Sequence, residues 1–285
     1  MILIDYNGIA ISNIVTQKLS IEEDMIRHMI LNSIRMHVAK HKAQYGSNVV
    51  ICGDGKKNWR YKAFPHYKAS RKTAREDSKI DWQDVFRITN MVFDELRDHF
   101  PYKVMKLDEC EADDIIGVLA YATQEFGQHD DVMIISGDKD FVQLQKFSNI
   151  SQYSPVQRKM LKTDNPRKQL LELILKGDTA DGIPNVLSPD NSYVDKIRQT
   201  PLRQNKIDEI TKVLSEGTQL PDMLPWHRNY LRNKKLIDLA ETPEHLKLEI
   251  INKFHEAPIG KKSDVLPYLI SKKCRQLVEV VGDFV

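Results

Sequence analysis

Aspartates follow three short apolar runs of this sequence at the point where each run ends. The runs and the aspartates that follow them are 1–4 with Asp5, 49–53 with Asp54, and 132–137 with Asp138. Short apolar runs that end at turn residues are typical of strands buried on both faces of a parallel sheet. The carboxyl ends of neighbouring parallel strands meet at one edge, where open α/β sheets bind their ligands. We therefore expect these three carboxylates to lie close together, where they could bind cations.

Five more acidic residues extend this pattern. One lies two positions after Asp138, two begin the predicted helix 111–120, and two follow the predicted helix 169–176. The full set of candidate metal ligands is Asp5, Asp54, Glu111, Asp113, Asp138, Asp140, Asp178 and Asp181. So many carboxylates cannot all stay ionised in one cleft without cations, because like charges raise one another's pKa values. Divalent cations that prefer oxygen ligands meet this requirement, and Mg²⁺ fits best where the substrate is a phosphate.

A basic segment at 55–80 follows Asp54 directly. Nine Lys or Arg residues stand there against only Glu76 and Asp77, at positions 56, 57, 60, 62, 68, 71, 72, 75 and 79. Four aromatic residues are interleaved with them: Trp59, Tyr61, Phe64 and Tyr67. Cations follow the phosphates of nucleic acids, and aromatic rings stack on unpaired bases. We expect a basic arch without the apolar spacing of a core element; the alternative, a basic loop without function, is disfavoured by its position beside a candidate ligand.

The rest of the chain divides into two regions by its patterning. Up to about residue 153, predicted strands and helices alternate, which indicates a parallel α/β sheet. The further elements predicted there are a turn at 6–8, a helix at 21–42, a helix capped by Asp81, a strand at 102–107, a helix at 141–147 and an edge strand at 150–153. The last hundred residues show only helical patches, at 205–214, 227–239, 243–254 and 265–281. We predict an α/β domain at 1–182, including the arch, and a helical lobe at 183–285.

Composition restricts the class of protein further. The 285 residues contain 42 Lys and Arg against 40 Asp and Glu, and only 32 acidic residues remain when the eight candidate ligands are set aside. An acidic cleft on a basic body suits an enzyme that acts on polyanions, although a mixed solvated surface is the alternative. The three cysteines form neither a disulfide nor a zinc pattern. No apolar run approaches the ~20 residues of a membrane span, and no secretory leader is recognisable, so we expect a cytoplasmic protein.

The order of these motifs resembles the flap endonuclease and 5′-nuclease family, and within it most closely the T-even phage ribonuclease H branch. The motifs are Asp5, Asp54, Glu-Ala-Asp-Asp at 111–114, Gly-Asp-Lys-Asp at 137–140 and Gly-Asp-x-x-Asp-x-Ile-Pro at 177–184. The resemblance implies a central, mostly parallel sheet flanked by helices, as in PIN-like nucleases, with a C-terminal helical lobe and a basic arch. One departure lies at 183–189, where Ile-Pro-Asn-Val-Leu-Ser-Pro replaces the glycine-rich turn of a hairpin that clamps duplex DNA.

Carried over position by position, the resemblance implies two Mg²⁺ ions, with Mn²⁺ as a substitute. The first ion would be bound by Asp54, Asp113 and Asp138, with Asp5 and Glu111 alongside. The second would be bound by Asp140, Asp178 and Asp181, partly through water. Asp114 fits a helix cap and the support of a metal ligand equally well.

The same resemblance implies roles for the basic arch. Lys68 and Arg71 would contact the scissile phosphate and act in catalysis together with the first metal site, and Tyr67 would stack on a base. The nucleic-acid contacts implied or expected from charge are Lys56, Lys57, Arg60, Lys62, Tyr67, Lys68, Arg71, Lys72 and Arg75.

The resemblance implies a metal-dependent 5′-nuclease that cleaves RNA–DNA hybrids, 5′ flaps and nicked duplex DNA, as in removal of lagging-strand primers. We expect a monomer in the cytoplasm of an infected bacterial host, with a sliding clamp or a single-stranded-DNA-binding protein as partner. The segment 272–285 is either a docking segment for such a partner or a closing helix. Two other functions stay open: a non-catalytic, structure-specific nucleic-acid-binding protein, which eight carboxylates would hinder, and a phosphatase with an Asp-x-Asp nucleophile, although residue 7 is Asn.

Overall fold

The computed structural model describes residues 1–17, 22–125, 130–216, 224 and 226–285. The side chains of residues 13, 15–17 and 72–74 are likewise outside this description, as is Ile21, the first residue of one predicted helix. Within the described ranges, no helix is both long enough and apolar enough to cross a membrane.

Six strands form one sheet. They are β1 (Ile2–Asp5), β2 (Val49–Gly53), β3 (Lys103–Lys106), β4 (Val132–Ile135), β5 (Ile150–Ser154) and β6 (Lys159–Leu161). Their order is β3-β2-β1-β4-β5-β6, and every neighbouring pair is parallel except β5 and β6. Strands β1, β2 and β4 are buried along their whole length, which is why their sequences are continuous apolar runs. The predicted mostly parallel α/β sheet is confirmed.

One strand prediction is wrong in its position. Residues 150–153 do form a strand, but β5 is not at the edge, because β6 pairs with it in antiparallel register from Gln152↔Leu161 to Ser154↔Lys159. Strand β6 has only three residues, which is too short for an alternating pattern to stand out in a sequence.

The order of the strands places a crevice at one edge of the sheet. Strand β1 lies between β2 and β4, so the chain leaves β1 towards one side and later returns to its other side. Ligands of open α/β sheets bind at such a reversal, outside the carboxyl ends of the strands. Asp5 ends β1, Asp54 directly follows β2, and Asp138 lies shortly after β4.

Twelve α-helices and three short 3₁₀-helices occur in the described part of the chain. The α-helices are α1 (Tyr6–Gln17), α2 (Glu23–Tyr45), α3 (Trp59–Ala63), α4 (Ala69–Glu76), α5 (Trp82–His99), α6 (Ala112–Ala122), α7 (Pro166–Lys176), α8 (Gln204–Ser215), α9 (His227–Ile237), α10 (Glu244–Glu256), α11 (Lys262–Ser271) and α12 (Arg275–Val278). The 3₁₀-helices are Lys139–Lys146, Leu239–Glu241 and Val281–Phe284. Asp81 caps α5 as predicted, because its carboxylate accepts hydrogen bonds from the amides of Gln83 and Asp84.

The turn predicted at 6–8 is wrong, since α1 begins at Tyr6 without an intervening loop. Tyr6 is buried and its hydroxyl donates to the carbonyl of Thr89 on α5. Ile9 and Ala10 are buried as well, so the start of α1 is held by packing on the sheet. A polar Asn-Gly pair disfavours a helix locally, and tertiary contacts override that preference here.

The chain separates into two compact units. Unit 1 comprises residues 1–56, 81–163 and 244–285, and unit 2 comprises 57–80 and 164–243. This division differs from the predicted boundary between 182 and 183. The C-terminal helices belong with the sheet, because α10 packs on α6 and β3, α11 packs on α5, and the last 3₁₀-helix packs on α2.

Unit 2 has apolar cores of its own. One cluster joins Phe64 and Tyr67 of the basic segment to residues of α7 and α9, and it comprises Phe64, Tyr67, Ile174, Ile183, Leu236 and Ile237. A second cluster comprises Leu175, Val186, Ile207, Ile210 and Trp226. The segment 55–80 was expected to have too little apolar spacing for a core element, yet Trp59, Phe64 and Tyr67 are buried and anchor α3 and the residues after it.

Candidate functional site

Asp5 is held at the carboxyl end of β1 by two hydrogen bonds. Its Oδ1 accepts from the amide of Gly8 at 2.9 Å, and its Oδ2 accepts from the hydroxyl of Ser136 at 2.8 Å. The side chain is 8 % exposed. The start of α1 and the end of β4 therefore fix the orientation of one carboxylate.

Asp54 joins β2 to the first turn of α6. Its Oδ1 accepts from the amide of Ala112 at 2.9 Å, and its Oδ2 accepts from Nδ2 of Asn7 at 2.5 Å. A carboxylate at the amino end of a helix is favoured by the helix dipole. The contact brings Asp54 to the helix turn that carries Asp113.

The acidic residues that open α6 have different roles. Glu111 is the N-cap, and it forms a capping box with Asp114: each side chain accepts a hydrogen bond from the other's backbone amide. Asp114 is completely buried. The structure therefore assigns Asp114 to the helix cap, one of the two roles that the sequence left open. Asp113, between them, is only partly buried.

Ser136 and Gln152 organise the turn after β4. The hydroxyl of Ser136, which donates to Asp5, accepts from the amide of Asp138 at 3.1 Å. Nε2 of the fully buried Gln152 donates to the carbonyls of Ser136 at 3.0 Å and Asp138 at 2.6 Å. Oδ1 of Asp138 caps the following 3₁₀-helix by accepting from the amide of Asp140 at 2.9 Å. This network positions the backbone that presents Asp138.

The charges of these carboxylates act on one another. The pKa of Asp5 is raised to about 6, chiefly by burial and also by the negative charges of Asp54 and Asp138, against the hydrogen bonds from Gly8 and Ser136. Burial also raises the pKa of the Cys52 thiol, with contributions from Asp5 and Asp113. The edge of the sheet thus carries a concentrated negative potential, which a cation would relieve.

The donor chemistry of this edge fits a hard divalent cation. All the candidate ligands are carboxylates, and oxygen ligands are what Mg²⁺ and Mn²⁺ accept. Among the described residues, no three His, Cys, Asp or Glu side chains already stand as a preassembled metal-binding group. The fit therefore rests on the oxygen donors and on their mutual repulsion.

In unit 2, Asp178 stabilises the turn after α7. Its Oδ1 accepts from the amides of Ala180 at 2.7 Å and Asp181 at 3.3 Å. Its backbone pairs with Ile183, which closes the turn around Gly182, whose φ is 69°. A Cβ on Gly182 would lie 3.2 Å from the carbonyl oxygen of His66, so glycine also permits a close approach of two backbones.

Asp181 is bound to the basic arch. Its Oδ1 lies 2.6 Å from a guanidinium nitrogen of Arg71, and its Oδ2 accepts from the hydroxyl of Tyr67 at 2.9 Å. The ammonium of Lys68 is 3.7 Å from Oδ2, and the amide of Lys68 donates to the carbonyl of Asp181. Residues that the sequence assigned to a metal site and to a phosphate contact therefore form one ion-paired cluster within unit 2.

Two predicted nucleic-acid contacts need correction. Arg60 is 2 % exposed, and its Nε donates to the carbonyl of Leu236 at 2.9 Å. Its guanidinium therefore lies in the interior of unit 2. The ring of Tyr67 is buried in an apolar cluster, so in this structure it offers no open face for a base. The other predicted contacts with described side chains are at least partly exposed: Lys56, Lys57, Lys62, Lys68, Arg71 and Arg75. The side chain of Lys72 lies outside the described set.

The sequence interpretation missed four supporting residues. Asn7, Gly8, Ser136 and Gln152 hold the carboxylates at the sheet edge through the hydrogen bonds given above. Three of them lie within three residues of an acidic motif, which is a signal that could have been used. Gln152 gave no comparable signal, because β5 also contains the polar residues Ser151 and Ser154.

Comparison with protein families matches almost the whole chain. The family described as 5′-3′ exonuclease, N-terminal resolvase-like domain, matches residues 1–170. The family described as T4 RNase H, C terminal, matches residues 165–284.

Individual proteins give the same grouping. Ribonuclease H of Enterobacteria phage T4 is 30% identical, over 99% of this chain and 95% of its own length. DNA polymerase I of Bacillus caldotenax is 29% identical, over 69% of this chain but 23% of its own length. The T5 5′-exonuclease with bound zinc has a TM-score of 0.65 at 16% identity, covering 90% of this chain and 98% of that one. A flap endonuclease of bacteriophage T5, in a pseudo-enzyme–product complex with DNA and metal ions, has a TM-score of 0.64 at 16% identity, covering 90% and 97%. The two structures share the fold of this chain.

Proposed function

Because this chain belongs to the 5′-3′ exonuclease family, we infer that it is a 5′-nuclease that hydrolyses phosphodiester bonds near the 5′ end of a nucleic-acid strand. Its substrates are RNA–DNA hybrids and 5′-flap or nicked duplex DNA, as expected of an enzyme that removes lagging-strand primers. The observation that supports this proposal is the position of Asp5, Asp54 and Asp138 at or just after the carboxyl ends of β1, β2 and β4, where the charges of the other two act on Asp5.

We propose Mg²⁺ as the cation, with Mn²⁺ as a substitute. Asp5, Asp54, Glu111, Asp113 and Asp138, all in unit 1, would bind the first ion. For the second ion, the family resemblance assigns Asp140 of unit 1 and Asp178 and Asp181 of unit 2, and this assignment stays a prediction. When bound, two divalent ions supply an activated water and stabilise the leaving oxygen of an in-line displacement.

The chain's own residues prepare this chemistry. Gly8 and Ser136 fix the carboxylate of Asp5. Gln152 donates to the carbonyls of Ser136 and Asp138 and so fixes the backbone turn that presents Asp138. Lys68 and Arg71 are proposed to offset the charge that develops on the phosphoryl oxygens. In the structure, Arg71 is paired with Asp181, so engagement of a phosphate by Arg71 would compete with that ion pair.

The alternatives are less well supported by the geometry. A binding protein without catalysis would have no use for buried, mutually repelling carboxylates beside a polyanion. A phosphatase with an Asp-x-Asp nucleophile would need a carboxylate at residue 7, where Asn7 instead donates to Asp54.

The partners and the location stay predictions: a sliding clamp or single-stranded-DNA-binding protein, a monomeric state, and the cytoplasm of an infected bacterial host. The C-terminal segment is part of unit 1, where Phe284 is buried against Phe100 and Asp283 pairs with Arg35. This packing supports the closing-helix interpretation of 272–285.

The test is cleavage of a labelled 5′-flap duplex and of an RNA–DNA hybrid, each with and without Mg²⁺. Release of inorganic phosphate from a nucleotide is measured in parallel. We expect Mg²⁺-dependent cleavage of both nucleic acids without phosphate release. Binding without cleavage would support the non-catalytic alternative, and phosphate release would support the phosphatase.

A further inference from the structure

A cavity in unit 1 lies between α2 and the turn that joins β5 to β6. Its volume is about 670 Å³, within the range of sites that bind small molecules. Six of its lining residues come from α2, and the others come from α1, β5 and residues 155–158. None of the eight candidate metal ligands lines it. Residues 155–158 follow the carboxyl end of β5, and the parallel register places that end at the same edge of the sheet as Asp5.

Among the described residues, the lining contains one cation, Arg158, and two histidines, His28 and His37, but no Asp or Glu. Within the described part of the chain, Arg158 makes no hydrogen bond or ion pair. Burial lowers the pKa of His28, and the nearby charge of Arg35 lowers it further. Burial also lowers the pKa of His37 to about 4, with contributions from His41 and Lys40. The positive charges of Arg35 and Lys40 thus act on the two histidines, and a bound anion would offset these charges.

His37 supplies an unsatisfied polar atom. Its side chain is 8 % exposed, and its Nδ1 has no hydrogen-bond partner among the described residues. Buried polar atoms are rarely left unpaired, and an exception points to a ligand or water. The ring of His37 lies 5.5 Å from that of Tyr153, which also lines the cavity.

One part of the lining is apolar and adaptable, whereas Ser12, Asn32 and Ser33 add polar groups. Met29, Met36, Pro155 and Val156 all face the cavity, and two of them are unusually exposed, Met36 at 52 % and Val156 at 61 %. Methionine side chains adapt to flat aromatic groups through their flexible thioethers. A ligand with an aromatic ring and an anionic group would use both parts of the lining.

We propose that this cavity binds a nucleotide unit, with its phosphate beside Arg158 and His28 and its base against Met36 and Val156. The choice of a nucleotide over other aromatic anions rests on the proposed function. The nucleotide has two sources with the same chemistry, a free mononucleotide released by cleavage and the unpaired end of a bound strand.

Two substitutions test the site with matched controls. Arg158→Asn removes the cation, and asparagine tolerates the positive φ of 53° at that position better than most residues. Its control is Lys273→Asn, since Lys273 also has a positive φ, of 56°, and does not line the cavity. Met36→Glu brings a negative charge into the lining from an exposed position. Its control is Met25→Glu, on the same helix but outside the cavity.

The readout is the nuclear magnetic resonance signals of the His28 and His37 rings during titration of the full chain with dAMP, in a chelator so that no cleavage occurs. Deoxyadenosine, inorganic phosphate and a short deoxyadenosine oligonucleotide are titrated in parallel. We expect saturable shifts of both rings with dAMP and at least about tenfold weaker binding of phosphate or nucleoside alone. Arg158→Asn and Met36→Glu should each weaken dAMP binding about tenfold, while both control variants stay within about twofold of wild type. Tighter binding of the oligonucleotide than of dAMP would identify the strand end as the source, and equal binding the free mononucleotide.

The proposal is overturned if neither dAMP nor the oligonucleotide shifts these rings, or if both cavity variants bind as wild type does. Phosphate binding as tightly as dAMP also overturns it, because the base would then contribute nothing. Flap cleavage is measured on the same samples with Mg²⁺. Normal cleavage without dAMP binding refutes only the nucleotide site, and dAMP binding without cleavage refutes only the proposed function.

Discussion

The backbone of Gly8 lies against the carboxylate of Asp5. The amide of Gly8 donates to Oδ1 at 2.9 Å, and a Cβ at residue 8 would stand 2.4 Å from Oδ2 and 2.9 Å from Cγ. Real Cβ atoms do not approach a carboxylate so closely, so any other residue would force Asp5 or α1 to move. Glycine at this position is therefore a requirement of the candidate metal site.

Gly8→Ala should reduce flap cleavage at least about tenfold and raise the Mg²⁺ concentration needed for half-maximal rate. Alanine is the better helix former by roughly 0.5–1 kcal/mol, so a lower melting temperature would have to come from the displaced carboxylate. Gly282→Ala is the control, because a Cβ there meets nothing within 4 Å. Unchanged cleavage and cation dependence in Gly8→Ala would show that the site tolerates the shift.

Asp138→Asn should abolish cleavage and yet stabilise the metal-free protein. The charge of Asp138 raises the pKa of Asp5, which shows that the two repel each other in the folded state. Asparagine keeps an oxygen that can accept from the amide of Asp140. We expect melting about 1–3 °C higher than wild type in chelator and a smaller gain from Mg²⁺.

Thermal melts in chelator and in Mg²⁺ measure both effects. Asp108→Asn serves as the control, since Asp108 is an exposed aspartate of unit 1 outside the candidate ligand set. If Asp138→Asn melted lower than wild type in chelator, the capping hydrogen bond would outweigh the repulsion, and Asp138 would be primarily structural.

Gln152→Leu should weaken cation binding as well as stability. The substitution leaves the carbonyls of Ser136 and Asp138 without their buried donor, at a cost of roughly 1–3 kcal/mol for each group left unsatisfied. It also releases the backbone that presents Asp138. Gln124→Leu is the matched control, because Gln124 donates to Thr123 and Asn149, away from the sheet edge.

The decisive measurement for Gln152 is the Mg²⁺-dependent rise in melting temperature, which a merely structural residue would leave intact. We expect that rise to shrink in Gln152→Leu and to persist in Gln124→Leu. An equal rise in both variants would restrict Gln152 to a structural role.

Lys68→Ala should lower the single-turnover rate more than it weakens binding, because a contact to the transition state affects kcat. Lys79→Ala should instead weaken binding and reduce its salt dependence, since Lys79 is an exposed cation of the same segment. Single-turnover cleavage and affinity at two salt concentrations separate the two effects. An effect of Lys68→Ala on affinity alone would mean that the arch binds the substrate but does not contribute to the chemical step.

The stability of the protein should fall as the pH drops below the ordinary pKa of histidine, through His37. Burial lowers the pKa of His37 from 6.5 to about 4, with further contributions from His41 and Lys40. Tyr153 on β5 faces the ring, and Arg158 lines the same cavity. The neutral form is thus favoured by folding, so the stabilisation is complete above pH 6.5 and is lost as the pH falls towards 4. A shift of this size corresponds to about 3 kcal/mol.

His37→Phe keeps a ring beside Tyr153 and removes the titration. Urea unfolding between pH 4 and 7 should show a shallower pH dependence in His37→Phe than in wild type. Parallel profiles for the two proteins would contradict the prediction.

The sequence by itself determined the parallel sheet and the carboxylates at its edge. Strands β1, β2 and β4 are buried on both faces, so their apolar runs were continuous, and the aspartates that follow them could be assigned to one edge from topology alone. Most helices were recognisable for a similar local reason, since Asp81 is a cap within the sequence and α7 to α10 have helical apolar spacing.

Only the tertiary structure decided which polar residues support the site and which residues of the basic segment are accessible to a substrate. From the sequence, Arg60 and Tyr67 were predicted to contact nucleic acid. They are buried, because the distant helices α7 and α9 cover them. Gln152, Ser136 and Asn7 became meaningful only through partners that lie far away in the chain. Local patterns report periodicity and capping within a few residues, whereas burial and hydrogen-bond partners depend on contacts across long separations, which a single sequence does not specify.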